Sequence, residues 1–129
     1  MTAVEPATLA YYTQPDVMTG PGRHAALFSS LPHDVAALAA VTQGLIVHEY
    51  WAGAYGLTLS DADRATAHLR RAEDLLEHIV ARDGRPLSVA RDAAHRLVGN
   101  CRMYTVLLVA MLRFQGVPAR ARCGFARYF

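Results

Sequence analysis

Apolar positions along this chain keep a helical rhythm for most of its length and change to alternation near its end. Residues 1–22 carry no sustained period, because Pro6, Pro15, Gly20, Pro21 and Gly22 interrupt it, and they read as an extended lead-in. A short helix is expected over His24–Ser30, before Pro32. Asp34 is a natural cap for the next helix. Val35, Leu38, Val41, Leu45 and Ala52 then recur at helical spacing, so this helix is expected to reach Gly53 or Gly56. Gly44 inside it reads as a site of close packing rather than a break.

Ser60-Asp61-Ala62-Asp63 has the shape of a capping box. Ala65, Leu69, Ala72, Leu76 and Ile79 form one apolar stripe behind it, with Arg70, Glu73, Asp74, Glu77 and His78 on the other face. Arg70 and Asp74 stand at i,i+4. Gly84 and Pro86 end the pattern, and Ser88 opens a further short helix with Val89, Ala93 and Leu97 facing inward. Val98-Gly99-Asn100 reads as a tight turn. A helix follows from Arg102 to Phe114, burying Tyr104, Leu107, Leu108, Met111 and Leu112, and Gly116 and Pro118 stop it.

From Val117 the period becomes two. Val117, Ala119, Ala121, Cys123 and Phe125 alternate with Arg120 and Arg122, the pattern of a half-buried strand. A strand needs a partner for its backbone groups. The other candidates, 45–47 and 55–59, are short, and the first lies inside a helical pattern. The expectation is therefore an α+β fold whose sheet is cut short: an extended lead-in over 1–22, a helical segment over 23–97, and a helix-then-strand unit over 98–129, all in one domain.

The chain has 129 residues and is 53% hydrophobic, which suits one domain with a modest core. A net charge of +2 gives no strong field toward nucleic acid or a membrane. All 13 basic residues are Arg, so no ε-amine is available for an isopeptide bond. No apolar run approaches the ~20 residues of a membrane span, and the N-terminus lacks the basic start and apolar stretch of a secretory signal. With 2 cysteines, a disulfide scaffold is not expected, and a reducing, cytoplasmic location is.

The chemistry concentrates at Gly99-Asn100-Cys101-Arg102. A helix N-terminus carries partial positive charge and free N–H groups, which lower a thiol's pKa and raise its nucleophilicity. Arg102 adds to that field, the N–H of Cys101 can face a developing oxyanion, and Gly99 leaves room for the chain to turn and a substrate to approach. Taken alone, a helix-start cysteine is more often a small buried hydrophobe.

The wider pattern shifts the balance. Gly99 and Cys101 open a helix that runs to Leu112-Arg113. Gly116-Val117-Pro118-Ala119-Arg120 then leads into a segment closing on Gly124-Phe125. This arrangement resembles the core of the transglutaminase-like superfamily. The resemblance implies a papain-like fold, with the cysteine helix packed on an antiparallel sheet. It also implies thioester acyl transfer: Cys101 attacks a peptide or protein carboxamide, ammonia or an amine leaves, and water or an amine resolves the intermediate. Neither cofactor nor metal is implied. The family's His and Asp lie on strands that follow the Gly-aromatic pair, and no residue of this sequence matches them. The chain as given is thus expected to be incomplete as an enzyme, whether its completed activity is that of an amidase, a protease or a transglutaminase.

Among the 6 histidines, His95 could act as a base only if the 98–100 turn folds back, and a solvated histidine is the plainer expectation. His68 and His78 fall on a polar helix face. His48-Glu49 resembles the opening of HExxH, but Ala52 stands at the second histidine position, which rejects it. His24 and His33 fit no metal spacing. Arg102, Arg113, Arg120, Arg122 and Arg127 make the C-terminal part basic. With no nucleic-acid motif beside them, they read as a solvated face with carboxylate partners. Cys123 reads as inert core. The competing functional reading is a non-catalytic scaffold module that pairs the 117–125 strand with a partner or with a second copy of itself.

Overall fold

The computed structural model describes residues 2–127; Met1, at the start of the expected lead-in, and Tyr128 and Phe129, at the end of the expected helix-then-strand unit, lie outside them. The lead-in is not extended throughout. Pro6 sits at the first turn of α1 (Pro6–Tyr11), where a missing N–H costs nothing. A 3₁₀ helix over Gly22–Phe28 then delivers Phe28 to the core.

α2 (Val35–Leu45) begins as its cap predicts, with the Asp34 carboxylate accepting the Ala37 N–H at 2.9 Å. Close packing at Gly44 also holds: a Cβ there would stand 3.0 Å from that of Ala90. The helix nevertheless stops at Leu45. Ile46 and Val47, expected inside it, form β1 (Ile46–His48), which pairs in parallel with β2 (Leu97–Gly99). Ile46 faces Leu97, Val47 faces Val98, and His48 faces Gly99. The expected turn at 98–100 is thus the end of a strand. Both strands are buried on both faces, as parallel strands usually are, and their short β-branched runs carry no alternation to betray them. Ile46 and Leu97 face the main core, while Val47 and Val98 face a smaller cluster with Ala52, Leu57 and Leu59.

The capping box at Ser60 forms in full: Asp63 N–H donates to Ser60 Oγ at 3.1 Å, and Ser60 N–H donates to Asp63 Oδ2 at 2.9 Å. The long helix expected behind it is broken into α3 (Asp61–Ala65), a 3₁₀ turn over Thr66–His68, and α4 (Ala72–Arg82). The break has a long-range cause, because the carbonyls of Ala67 and Leu69 are taken by side chains from the start of the cysteine helix. The shift of register also changes the ion pair, so that Arg71, not Arg70, grips Asp74 through two bonds of 2.9 Å.

The helix expected at Ser88 is absent. Arg91 replaces it as an organiser, donating from a fully buried guanidinium to the carbonyls of Asp83, Arg85, Pro86 and Val89 at 2.7–2.8 Å. Burial pulls its pKa below the usual arginine value, and four carbonyl dipoles compensate the buried charge.

α5 (Cys101–Phe114) forms where the pattern places it. Met103, Leu107, Ala110 and Met111 seat it in the core beside α2 and α4, each large side chain contributing about 1.5–3 kcal/mol of burial. Gly116, at φ 79°, turns the chain out of the helix. The next segment departs from expectation. Residues 117–126 are extended but belong to no ladder, because no described strand lies alongside. Its intended inner face is open: Val117, Ala121, Cys123 and Phe125 are all exposed. The fold is therefore mixed α and β with a two-stranded parallel sheet among the described residues.

Candidate active site

Chain order runs directly from β2 through Asn100 into α5, so the helix N-terminus sits at the carboxyl edge of the parallel pair, where α/β sheets commonly place ligands. Asn100 is the N-cap. Its Oδ1 accepts the Met103 N–H at 3.4 Å, and its Nδ2 donates to the Ala67 carbonyl at 3.0 Å. Arg102 folds back onto the same turn, donating to the carbonyls of Ala67 and Leu69 at 3.3 and 3.2 Å. Thr66 adds a bond of 2.6 Å to the Val98 carbonyl. These contacts tie the helix start to the 66–69 turn. Asn100 and Arg102 thus hold the backbone of the helix start, and their side chains are committed to that turn.

Gly99 is buried, and a Cβ there would lie 2.6–2.7 Å from the thioether of Met103 and 3.1 Å from Ile46 Cγ2. Its small size is demanded by the packing of α5 on the strand end rather than by a turn. Cys101 is exposed, and its thiol is free. The N–H groups of Cys101 and Arg102 meet no acceptor among the described residues, as the first turn of a helix requires.

His95 ends a 3₁₀ turn at the other end of β2. Leu97–Gly99 run as β2 between His95 and Asn100, so a strand stands where the turn that would fold His95 back was expected. His95 is exposed, as are His33, His68 and His78, and His78 Nδ1 lies 2.9 Å from the Asp74 carbonyl. His24 meets Glu77 Oε2 at 2.7 Å, far along the sequence from Cys101, and Arg23 binds the same carboxylate.

His48, set aside in the sequence as a failed zinc motif, is brought to the site edge. It is the last residue of β1, paired with Gly99 two residues before the cysteine. Only the pairing of two short strands reveals this, so the sequence held no local signal for it. Beside it runs an open groove of about 870 Å³, lined by His48, Trp51, Tyr55, Arg96, Tyr104 and Thr105 among others. Tyr104 donates its hydroxyl to the Ile46 carbonyl at 2.9 Å, and burial raises its pKa. Thr105 donates to the Cys101 carbonyl at 3.0 Å. Cys101, Thr105 and Leu108 stand at i, i+4 and i+7, so the cysteine shares the helix face that borders the groove.

The basic C-terminal cluster divides. Arg113 is buried, donating to the Ala119 and Gln14 carbonyls and to Asp16 Oδ2 at 3.1 Å. Arg120 and Arg122 are exposed, and Arg120 lies over the Tyr12 ring. Cys123, expected in the core, is exposed, because no described strand lies beside the segment that carries it. Among the described residues no His, Cys, Asp and Glu side chains gather as a metal site, and no helix is long and apolar enough to cross a membrane.

Comparison with known proteins agrees with the sequence signature. No curated protein and no solved structure matches the chain. The family model described as the transglutaminase-like superfamily matches residues 53–128, more than half the chain, and takes in the second half of the groove's aromatic wall, β2, α5 and the segment beyond it. A cysteine opening a helix at a strand end, inside a family match of that length, makes this chain a member of the transglutaminase-like superfamily.

Proposed function

We propose that this chain carries the nucleophile half of a cysteine acyl-transfer site. The exposed Cys101 thiol on a capped helix start, inside the family match, is the observation that carries this reading. Its thiolate attacks the carbonyl carbon of a peptide or protein carboxamide. The free N–H groups of the first turn stabilise the oxyanion, as orphan helix donors can. Collapse breaks the C–N bond, and ammonia or an amine leaves with a proton from the general acid. Water or an acceptor amine then resolves the thioester, whose sulfur returns as the leaving group.

The reading places the base and its orienting carboxylate outside the described residues, since no histidine among them bonds the thiol. The chain alone is then expected to turn over little amide. The reaction is proposed to take place in a cytoplasmic, reducing setting, which leaves the thiol free.

The test is the alkylation rate of Cys101 against pH, with Cys123 as the internal standard. Cys101 is expected to react faster than Cys123 around neutral pH, the advantage that a helix start gives a thiolate. Equal profiles would remove Cys101 as an activated nucleophile.

A second reading is favoured by one observation, the largely exposed 117–126 segment, which joins no ladder among the described residues. It is a strand donor that pairs with another chain's sheet edge or with a second copy. Sedimentation separates this reading from the first: a monomer at all concentrations counts against pairing between copies.

A further inference from the structure

Exposed aromatic side chains gather on one side of the groove beside Cys101. Trp51 is 66% exposed and Tyr55 58%, and both line it, with Tyr104 forming its floor. Large aromatics held half in water supply contact area to a ligand at little entropic cost. The polar groups among them are donors. Arg96 anchors its Nε on the Arg91 carbonyl at 2.8 Å and lies 5.8 Å over the Tyr55 ring. Its remaining nitrogens make no ion pair with any described carboxylate. His48 Nδ1 accepts the Tyr50 N–H at 3.2 Å, which fixes the neutral ring with its proton on Nε2, a donor. Gln43 brings a further amide. No Asp or Glu lines the groove, and Glu49, next to His48, is not part of its wall.

From this charge complementarity we infer that the groove holds the acyl-donor peptide itself, and that it selects an acidic one, with a carboxylate close in sequence to the reacting carboxamide. The inference rests on the acyl-transfer reading above for the carboxamide, and on the groove for the carboxylate. The carboxylate pairs with Arg96, backed by the Tyr55 face, while the peptide chain lies against Trp51 and Tyr104 toward the first turn of α5. His48 Nε2–H donates to a peptide carbonyl as a positioning residue. It is not the base, because its available nitrogen already carries a proton. A volume of about 870 Å³ suits a few residues of peptide, within the ~300–1,000 Å³ typical of small-ligand sites.

Trp51 is the sole tryptophan, so its emission reports the groove directly. The experiment titrates this chain with acetyl-Glu-Gln-Gly-amide and with its neutral twin, acetyl-Gln-Gln-Gly-amide. The acidic peptide is expected to shift Trp51 emission saturably and to bind about tenfold tighter than the twin, the order of one ion pair at a partly desolvated site. That preference should fall to about onefold in Arg96→Gln and return in Arg96→Lys. Equal binding of the two peptides to the unaltered chain, no emission change with either, or a preference that survives Arg96→Gln would each overturn the inference. Selective binding together with a Cys101 alkylated no faster than Cys123 would instead sink the nucleophile reading and leave the groove as an acidic-peptide site.

Discussion

The two ends of α5 belong to one sequence signature and meet opposite fates. At the N-terminal end, Asn100, Arg102 and Thr66 bind backbone across the 66–69 turn, and Gly99 is closed in by Met103 and Ile46. At the other end, after Gly116, only a few bonds hold the chain. Ala119 N–H donates to the Tyr12 carbonyl at 3.1 Å, and Arg113 reaches the Ala119 carbonyl at 2.8 Å. Beyond that point Cys123 and Phe125 stand in solvent. The cysteines mark the contrast. Both are exposed, but Cys101 is fixed on a helix inside a packed junction, whereas Cys123 rides a segment with no ladder. Exposure is thus shared by the two thiols, and the frame that holds each is what differs.

The sharpest way to break this comparison is to place the same substitution at both ends. Gly99→Val should cost about 1–3 kcal/mol through overpacking against the buried Met103. Gly124→Val, with no atom within 4 Å of its Cβ position, should stay within about 0.5 kcal/mol. Denaturant melts of the two variants decide it, and equal costs would show that the junction is no tighter than the tail.

Removing the cap is the next largest effect. Asn100→Ala should cost about 1 kcal/mol and, by loosening the helix start, slow alkylation of Cys101 while leaving that of Cys123 unchanged. A variant that changes both rates alike would mean that the cap acts on the whole fold.

The smallest effect concerns the tether. Burial pushes the Asp16 carboxyl up, but bonds from Thr19, Met18 and Arg113 outweigh it and hold its pKa below the usual aspartate value. A folded pKa below the unfolded one gives stability that is fully present above about pH 3.9 and lost as pH falls through the folded value. Asp16→Asn should therefore melt below the parent at neutral pH, with the gap closing under acid. A gap independent of pH would assign the loss to packing.

Some expectations held because their causes are local. Asp34 and Ser60–Asp63 cap helices through bonds spanning three residues, and α5 follows from its own apolar stripe. Others failed where distant groups intervened. Ile46 and Val47 left a helical pattern because Leu97 and Val98 offered a ladder. The helix across 66–71 broke because Asn100 and Arg102 claimed its carbonyls. Arg113 reads as part of a solvated face in the sequence and is buried, bonding carbonyls that only folding assembles.

The site divides in the same way. The sequence by itself determined the family and the helix that Cys101 opens, because a cap and an apolar stripe are written in neighbouring residues. Only the tertiary structure decided that a strand follows His95, that His48 pairs with Gly99, and that Trp51, Tyr55, Arg96 and Tyr104 wall one groove. Those residues lie far apart along the chain. Strand pairing and core burial bring them together, and neither leaves a mark on any short stretch of sequence.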